Sequence, residues 1–145
     1  MHAVHVQISD NRSWLAPVAD LPMTSDCIFC QTDRPVLAET KLSCAFLDAF
    51  PVTRGHSLII PRRHVKTIWE MTTDEYIDAF GLVRRVKDLL QQQFEPQGFN
   101  IGVNCEEAAG QTVFHAHIHV IPRYAEDVPN PRGGVRNIIP GKGIY

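Results

Sequence analysis

The pattern of hydrophobic and polar positions changes period several times along the chain, and each change predicts an element. From residues 71 to 94, "MTTDEYIDAFGLVRRVKDLLQQQF", apolar side chains recur at Tyr76, Phe80, Val83, Val86 and Leu90. That three-to-four spacing is the signature of a helix with one apolar face. Thr72 followed three residues later by Glu75 fits a capping box, and Asp74 and Glu75 put negative charge in the first turn, where the helix dipole favours it. Gly81 costs such a helix about 1 kcal/mol relative to alanine, and "EPQG" ends it.

On either side of this helix the pattern is that of strands. Residues 42–50, "LSCAFLDAF", are apolar and β-prone, "PVTRG" breaks them, and residues 56–61, "HSLIIP", resume. The simple reading is a hairpin joined by a five-residue loop. After the helix, "FNIGVN" reads as a strand, "CEEAAGQT" as a loop, and "VFHAHIHVIP", residues 113–122, as the longest strand. Residues 3–8, "AVHVQI", suggest a short strand within an N-terminal extension of residues 1–22. A domain over residues 23–124 follows, and a tail, 125–145, is crowded with proline and glycine, so irregular backbone lying on the domain surface is expected there. Strands flanking one long helix with short connections predict an α+β fold, an antiparallel sheet with the helix packed on one face.

Composition narrows the function classes. A chain of 145 residues buries one core, not two. Its net charge of −2 provides no basic field for nucleic acid. No apolar run approaches the roughly 18 residues of a membrane span, and the N-terminal stretch lacks a basic start and apolar core, so a cytoplasmic location is expected. Four cysteines are present, two of them in "CIFC". In a reducing compartment that pair suggests a metal or redox site before a disulfide.

The candidate chemistry concentrates in "HAHIH". On a strand, His115, His117 and His119 would share one face, while Phe114, Ala116, Ile118 and Val120 face the core. At about 3.3 Å per residue the outer two stand roughly 13 Å apart at the backbone, too far to share one metal ion easily. Surface or core histidines, an H-x-H chelate, and a division of labour are the alternatives. In the last, Cys27 and Cys30 join His64 and one triad histidine as a structural Cys2His2 zinc site. The remaining histidines are then free for reaction or substrate, since a neutral imidazole carries a lone pair able to attack phosphorus. The loop before them offers Asn104, Gly110, Gln111 and Thr112, whose amides, hydroxyl and glycine backbone suit an anion.

Taken together, "DCIFC", "AFLDAFPVTRGHSLIIPRRHV" and "GVNCEEAAGQTVFHAHIH" occur in the order found in the histidine triad (HIT) family. The chain resembles its Hint-like and diadenosine polyphosphate hydrolase-like branch, of the zinc-containing bacterial type, over about residues 26–124. The resemblance implies a five-stranded antiparallel sheet with a long helix and a two-fold homodimer. It implies a purine nucleotide substrate, a dinucleoside polyphosphate or nucleoside phosphoramidate, hydrolysed through a nucleotidyl-histidine intermediate. Carried over residue by residue, His117 is the nucleophile, His119 contacts the α-phosphate, and Asn104, Gln111 and Thr112 hold phosphate and leaving group. Thr112 stands where relatives often have serine. Asp48 matches the ribose-binding acid, His56 lies behind the triad, and Cys27, Cys30, His64 and His115 match the ligands of a structural zinc. Transferases of the superfamily commonly carry glutamine in place of the third histidine, so His119 favours hydrolysis over a transferase or phosphorylase. A nucleotide-binding adaptor with little turnover is the alternative from another class.

Overall fold

The computed structural model describes residues 26–31 and 33–144; the expected strand at 3–8 and the extension at 1–22 lie outside them. Five strands, β1 (Ala38–Glu39), β2 (Ser43–Leu47), β3 (Ser57–Pro61), β4 (Gly98–Gly102) and β5 (Ile118–Arg123), form one sheet in the order β1-β2-β3-β5-β4, every pair antiparallel. Helix α1 (Thr73–Phe94) crosses from β3 to β4. Ala45, Ile59, Ile118 and Val120 project from one sheet face onto Ala79, Leu82, Val86 and Leu90 of the helix. Burying each larger side chain contributes ~2 kcal/mol. On the other face, Phe46, Leu58 and Ile60 make a smaller apolar cluster with Phe29 laid over it.

The start of α1 is as its sequence predicts. Thr72 accepts from the Glu75 backbone at 3.2 Å, and the Glu75 carboxylate accepts from the Thr72 N–H at 2.8 Å. Glu75 is buried, and Arg63 donates to both its oxygens at 2.8 and 2.7 Å. The apolar face, however, is rotated from the predicted one. Ala79, Leu82, Val86 and Leu90 are the buried stripe, while Tyr76 is 39% exposed and Phe80 and Val83 flank the core. Ala79 lets the helix approach the sheet closely, and Tyr76 stacks on Phe80 at 4.6 Å with its hydroxyl end left outside the core.

Two strand expectations are also corrected. The connection between β2 and β3 runs over residues 48–56, longer than five residues, because Asp48 N–H donates to the His56 carbonyl and closes a wide loop. The last strand begins at Ile118, not Val113. Before it, Ala116 N–H donates to Val65 at 2.7 Å, and the chain is held by the segment after β3 and not by the ladder. His115, His117 and His119 are therefore not one row on a strand; only His119 belongs to β5. Phe114 is half-exposed where a core position was expected, and Ala116 packs with Val65 and Ile68 in a separate cluster.

Candidate active site

Departure from strand geometry gives the three histidines different surroundings. His115 is buried, at 1% exposure, and its Nε2–H donates to the Pro61 carbonyl at 2.9 Å. A carbonyl only accepts, so Nδ1 carries the lone pair. That lone pair faces the thiols of Cys27 and Cys30, each 3.6 Å away, and His64 Nδ1 is 3.3 Å from Cys30 Sγ. The four ligand atoms lie within 4.8 Å of one another. A tetrahedral zinc with ordinary Zn–S and Zn–N bonds separates its sulfur and nitrogen ligands by about 3.5 Å. The spacing and donor set therefore fit a metal ion of that kind. Burial, above all, pushes His115 down to about 4, so its imidazole is neutral and available as a ligand near pH 7.

His117 turns its Nδ1 back onto the His115 carbonyl at 2.8 Å. By the same reasoning Nδ1 carries the proton and Nε2 the lone pair. His117 is 6% exposed, and its ring meets that of Phe29 edge-on at 5.3 Å and that of His119 at 4.9 Å. His119 is pushed down to about 4, chiefly by burial and then by the neighbouring His117 and His56. Its Nδ1 lies 2.9 Å from His56 Nε2, while His119 Nε2 is buried without a partner. His56 Nδ1 in turn lies 3.3 Å from the Val52 backbone N–H and 3.4 Å from Asp48 Oδ2. With Val52 donating, His56 Nε2–H donates to His119 and leaves His119 Nε2 protonated, a donor awaiting an acceptor.

His117 and His119 open onto a cavity of about 850 Å³, also lined by Asp48, Thr112, Phe29, Phe46 and Leu58. It suits a flat apolar ring at one end and an anion at the other. Of the predicted site residues, Asp48, Thr112, His117 and His119 meet there, with His56 behind. Asn104, Gly110 and Gln111 do not line it. The Gln111 amide is taken up internally: Oε1 accepts from Glu106 N–H at 2.8 Å, and Nε2 donates to the Lys66 and Val113 carbonyls at 2.7 and 3.0 Å. Sequence reasoning missed the aromatic wall. Phe29 lies inside "CIFC", and Arg34 sits over the Phe46 ring at 4.3 Å; an aromatic residue between paired metal ligands was the available signal.

The HIT domain model matches residues 30–126. The chain belongs to the HIT family. It is 38% identical over 106 residues to the HIT protein of Bacillus subtilis, covering 70% of this chain and 73% of that one. Its similarity to an adenosine 5′-monophosphoramidase of Schizosaccharomyces pombe is 38% over 106 residues, with 70% and 77% covered. A bis(5′-nucleosyl)-tetraphosphatase of the same yeast is 41% identical over 92 residues, covering 63% of this chain and half of the relative. Among solved structures, a Bacillus anthracis HIT protein superposes with a TM-score of 0.67 at 40% identity, covering 71% of this chain and 77% of the other. A zinc-bound histidine triad protein from Mycobacterium smegmatis gives 0.65 at 30% identity, covering 70% and 78%. Among the described residues no helix is long and apolar enough to cross a membrane.

Proposed function

We propose that this HIT protein hydrolyses nucleoside 5′-phosphate derivatives at the α-phosphorus through a nucleotidyl-histidine intermediate. The observation that carries the reading is the pair at the cavity floor: His117, whose Nδ1–H bond to the His115 carbonyl leaves a lone pair on Nε2, beside the unpartnered buried Nε2 of His119. The naming of relatives as a monophosphoramidase and a tetraphosphatase supports the same chemistry.

In the first step His117 Nε2 forms a bond to phosphorus while the bond to the leaving group breaks, and the leaving group departs with its electron pair. His119 Nε2–H stabilises the charge on the phosphoryl oxygens, and Thr112 donates its hydroxyl proton where the leaving group needs one. In the second, the oxygen of water adds to phosphorus while the N–P bond breaks with its electron pair returning to His117 Nε2; the proton lost by water restores Thr112 where it gave its own to the leaving group and otherwise passes to solvent, and a nucleoside monophosphate is released. Fixed donors in a dry site supply most of the rate in such transfers. Asp48 accepts from the ribose hydroxyls, Phe29, Phe46 and Leu58 hold a purine, and His56 orients His119. Gln111 and Gly110 shape the loop that carries Thr112, with Asn104 entering it. Cys27, Cys30, His64 and His115 hold a structural zinc, which takes no part in the reaction. The sequence divides into a core of residues 23–124 and a tail of residues 125–145, of which Gly134–Ile138 packs against β4.

The edge of β4 that no strand of the described residues covers, and the exposed Tyr76 and Ile77 of α1, suit a homodimer. No disulfide joins any of the four cysteines, which suits a reducing cytoplasm. His117→Ala is expected to lower the release of nucleoside monophosphate by at least a thousandfold while binding nucleotide within about threefold of wild type. Mass spectrometry should find the nucleotidyl adduct on His117 of the wild type. Binding with neither product nor adduct would replace the hydrolase by a nucleotide-binding adaptor.

A further inference from the structure

The loop that carries Thr112 into the cavity is built around a residue in a conformation that side chains seldom adopt. Glu106 has φ 69° and ψ 166°, a region almost reserved for glycine, and a side chain persists there only where its surroundings over-determine it. Its main chain is engaged inside the loop. The Glu106 N–H donates to Gln111 Oε1 at 2.8 Å, and the Glu106 carbonyl accepts from the N–H groups of Ala109 and Gln111, each at 3.1 Å. The 3-10 turn Glu107–Ala109 and Gly110, at φ +85°, lie between. Glu106, the turn and Gln111 therefore move as one body, and Thr112 follows directly from it, exposed in the cavity wall.

Two side-chain contacts fasten that body to the segment after β3. Gln111 Nε2 donates to the Lys66 carbonyl at 2.7 Å, and the Lys66 ammonium meets the Glu106 carboxylate at 2.5 Å. Lys66 is itself held: its N–H donates to the Glu70 carboxylate at 3.2 Å, and its Nζ lies 5.2 Å from the centre of the Phe114 ring, an attraction that steers the ammonium. One residue earlier, the Val65 carbonyl accepts from Ala116 at 2.7 Å. Val65 and Lys66 thus grip the chain on both sides of Thr112. The hydrogen bond to Glu106, more than the charges of Glu106, Glu70 and Glu107, holds Lys66 above its ordinary range, so the pair is fully charged near pH 7. Both side chains are exposed, and an exposed pair adds little to stability. What this one contributes is position.

We infer that Lys66 and Glu106 are a positioning pair for Thr112: their ion pair holds the strained Glu106 peptide in place and, through Gln111, aims the Thr112 hydroxyl at the leaving group. This role rests on the hydrolase reading of the triad and adds two residues to it. Thr112 matters where the leaving group needs a proton. When His117 Nε2 bonds to phosphorus and the P–N bond of a phosphoramidate breaks, the nitrogen takes the electron pair of that bond and the Thr112 proton; water returns a proton to Thr112 in the second step. An aryl ester releases a phenolate, which keeps its electron pair and needs no proton. A hydroxyl displaced by a fraction of an ångström therefore slows the first reaction more than the second.

The test compares kcat for adenosine 5′-phosphoramidate with kcat for the p-nitrophenyl ester of adenosine 5′-monophosphate, using the full chain. Glu106→Gly removes the carboxylate yet suits the backbone, and Lys66→Met keeps an apolar stem over Phe114 without the charge. Each is expected to lower the ratio of the first kcat to the second about fivefold, with KM for the phosphoramidate within about twofold of wild type. Lys66→Arg, which preserves the charge, should keep the ratio within about twofold. If Glu106 served the fold alone, the relief of strain in Glu106→Gly would leave the ratio at its wild-type value. A ratio within about twofold of wild type in either Glu106→Gly or Lys66→Met overturns the positioning pair, as does an equal loss on both substrates. Absence of nucleoside monophosphate release from either substrate by the wild type overturns the hydrolase reading instead, so the two failures are distinct.

Discussion

A buried histidine that must stay neutral ties this molecule to pH. His115 is pushed down to about 4 by burial, with the Pro61 carbonyl opposing and His64 and His117 adding to the shift; His119 is pushed down to about 4 by burial first as well. An unfolded chain takes up protons on both residues near pH 6.5, before the folded one does. Stability is therefore fully present above about 6.5 and is lost as pH falls towards about 4. For the fully buried His115 the difference is worth roughly 3 kcal/mol. Half-buried His119 adds less, because solvent screens it. Urea unfolding of the metal-free protein should show a midpoint that is level from pH 8 to 7 and then falls through pH 5. His115→Gln should flatten the decline, and a wild-type midpoint unchanged between pH 7 and 5 would refute the linkage.

The loop and helix that frame the histidines show which parts of an element can be read from its residues. The capping box of α1 was legible because Thr72 and Glu75 act on adjacent backbone, and the four strand segments were legible from β-prone runs. The inward face of α1 was not, since it depends on how closely Ala79 lets the helix approach the sheet. The start of β5 was not legible either: a hydrogen bond from Ala116 to distant Val65 overrides local alternation. Gln111 reads as a phosphate ligand in sequence because an amide beside a glycine is an anion donor, yet it ties Glu106 to Lys66 and Val113. Glu106 is held at φ 69° and ψ 166°, a region almost reserved for glycine. Replacing it therefore inverts the usual order. Glu106→Gly should be more stable than Glu106→Ala by about 1 kcal/mol, as urea unfolding will show; the opposite order would mean the loop relaxes out of that conformation.

At the scale of the whole molecule, the cluster of Cys27, Cys30, His64 and His115, whose ligand atoms could hold a metal ion, ties the cavity's outer wall to the sheet. Its ligands come from three stretches far apart in the chain: Cys27 and Cys30 before β1, His64 after β3, and His115 before β5. The ligand types were legible in sequence, because two thiols and two imidazoles complete a tetrahedral site. What the wall does was not, since it depends on where Phe29 is carried. Phe29 stands between the two cysteines, rests on Phe46 at 5.6 Å and on His117 at 5.3 Å, and closes the cavity there with Ile28 and Arg34. Loss of a metal from this cluster would free that wall while leaving His117 bonded to the His115 carbonyl and His119 to His56. Substrate binding should suffer more than the chemical step. With Cys27→Ser/Cys30→Ser, bound zinc should fall from about one per chain to none and Tm by on the order of 10 °C. The KM for nucleotide should rise about tenfold while kcat changes less than threefold, because the reacting nitrogens keep their anchors. A fall in kcat at constant KM would instead place the metal's influence on the triad itself, through His115.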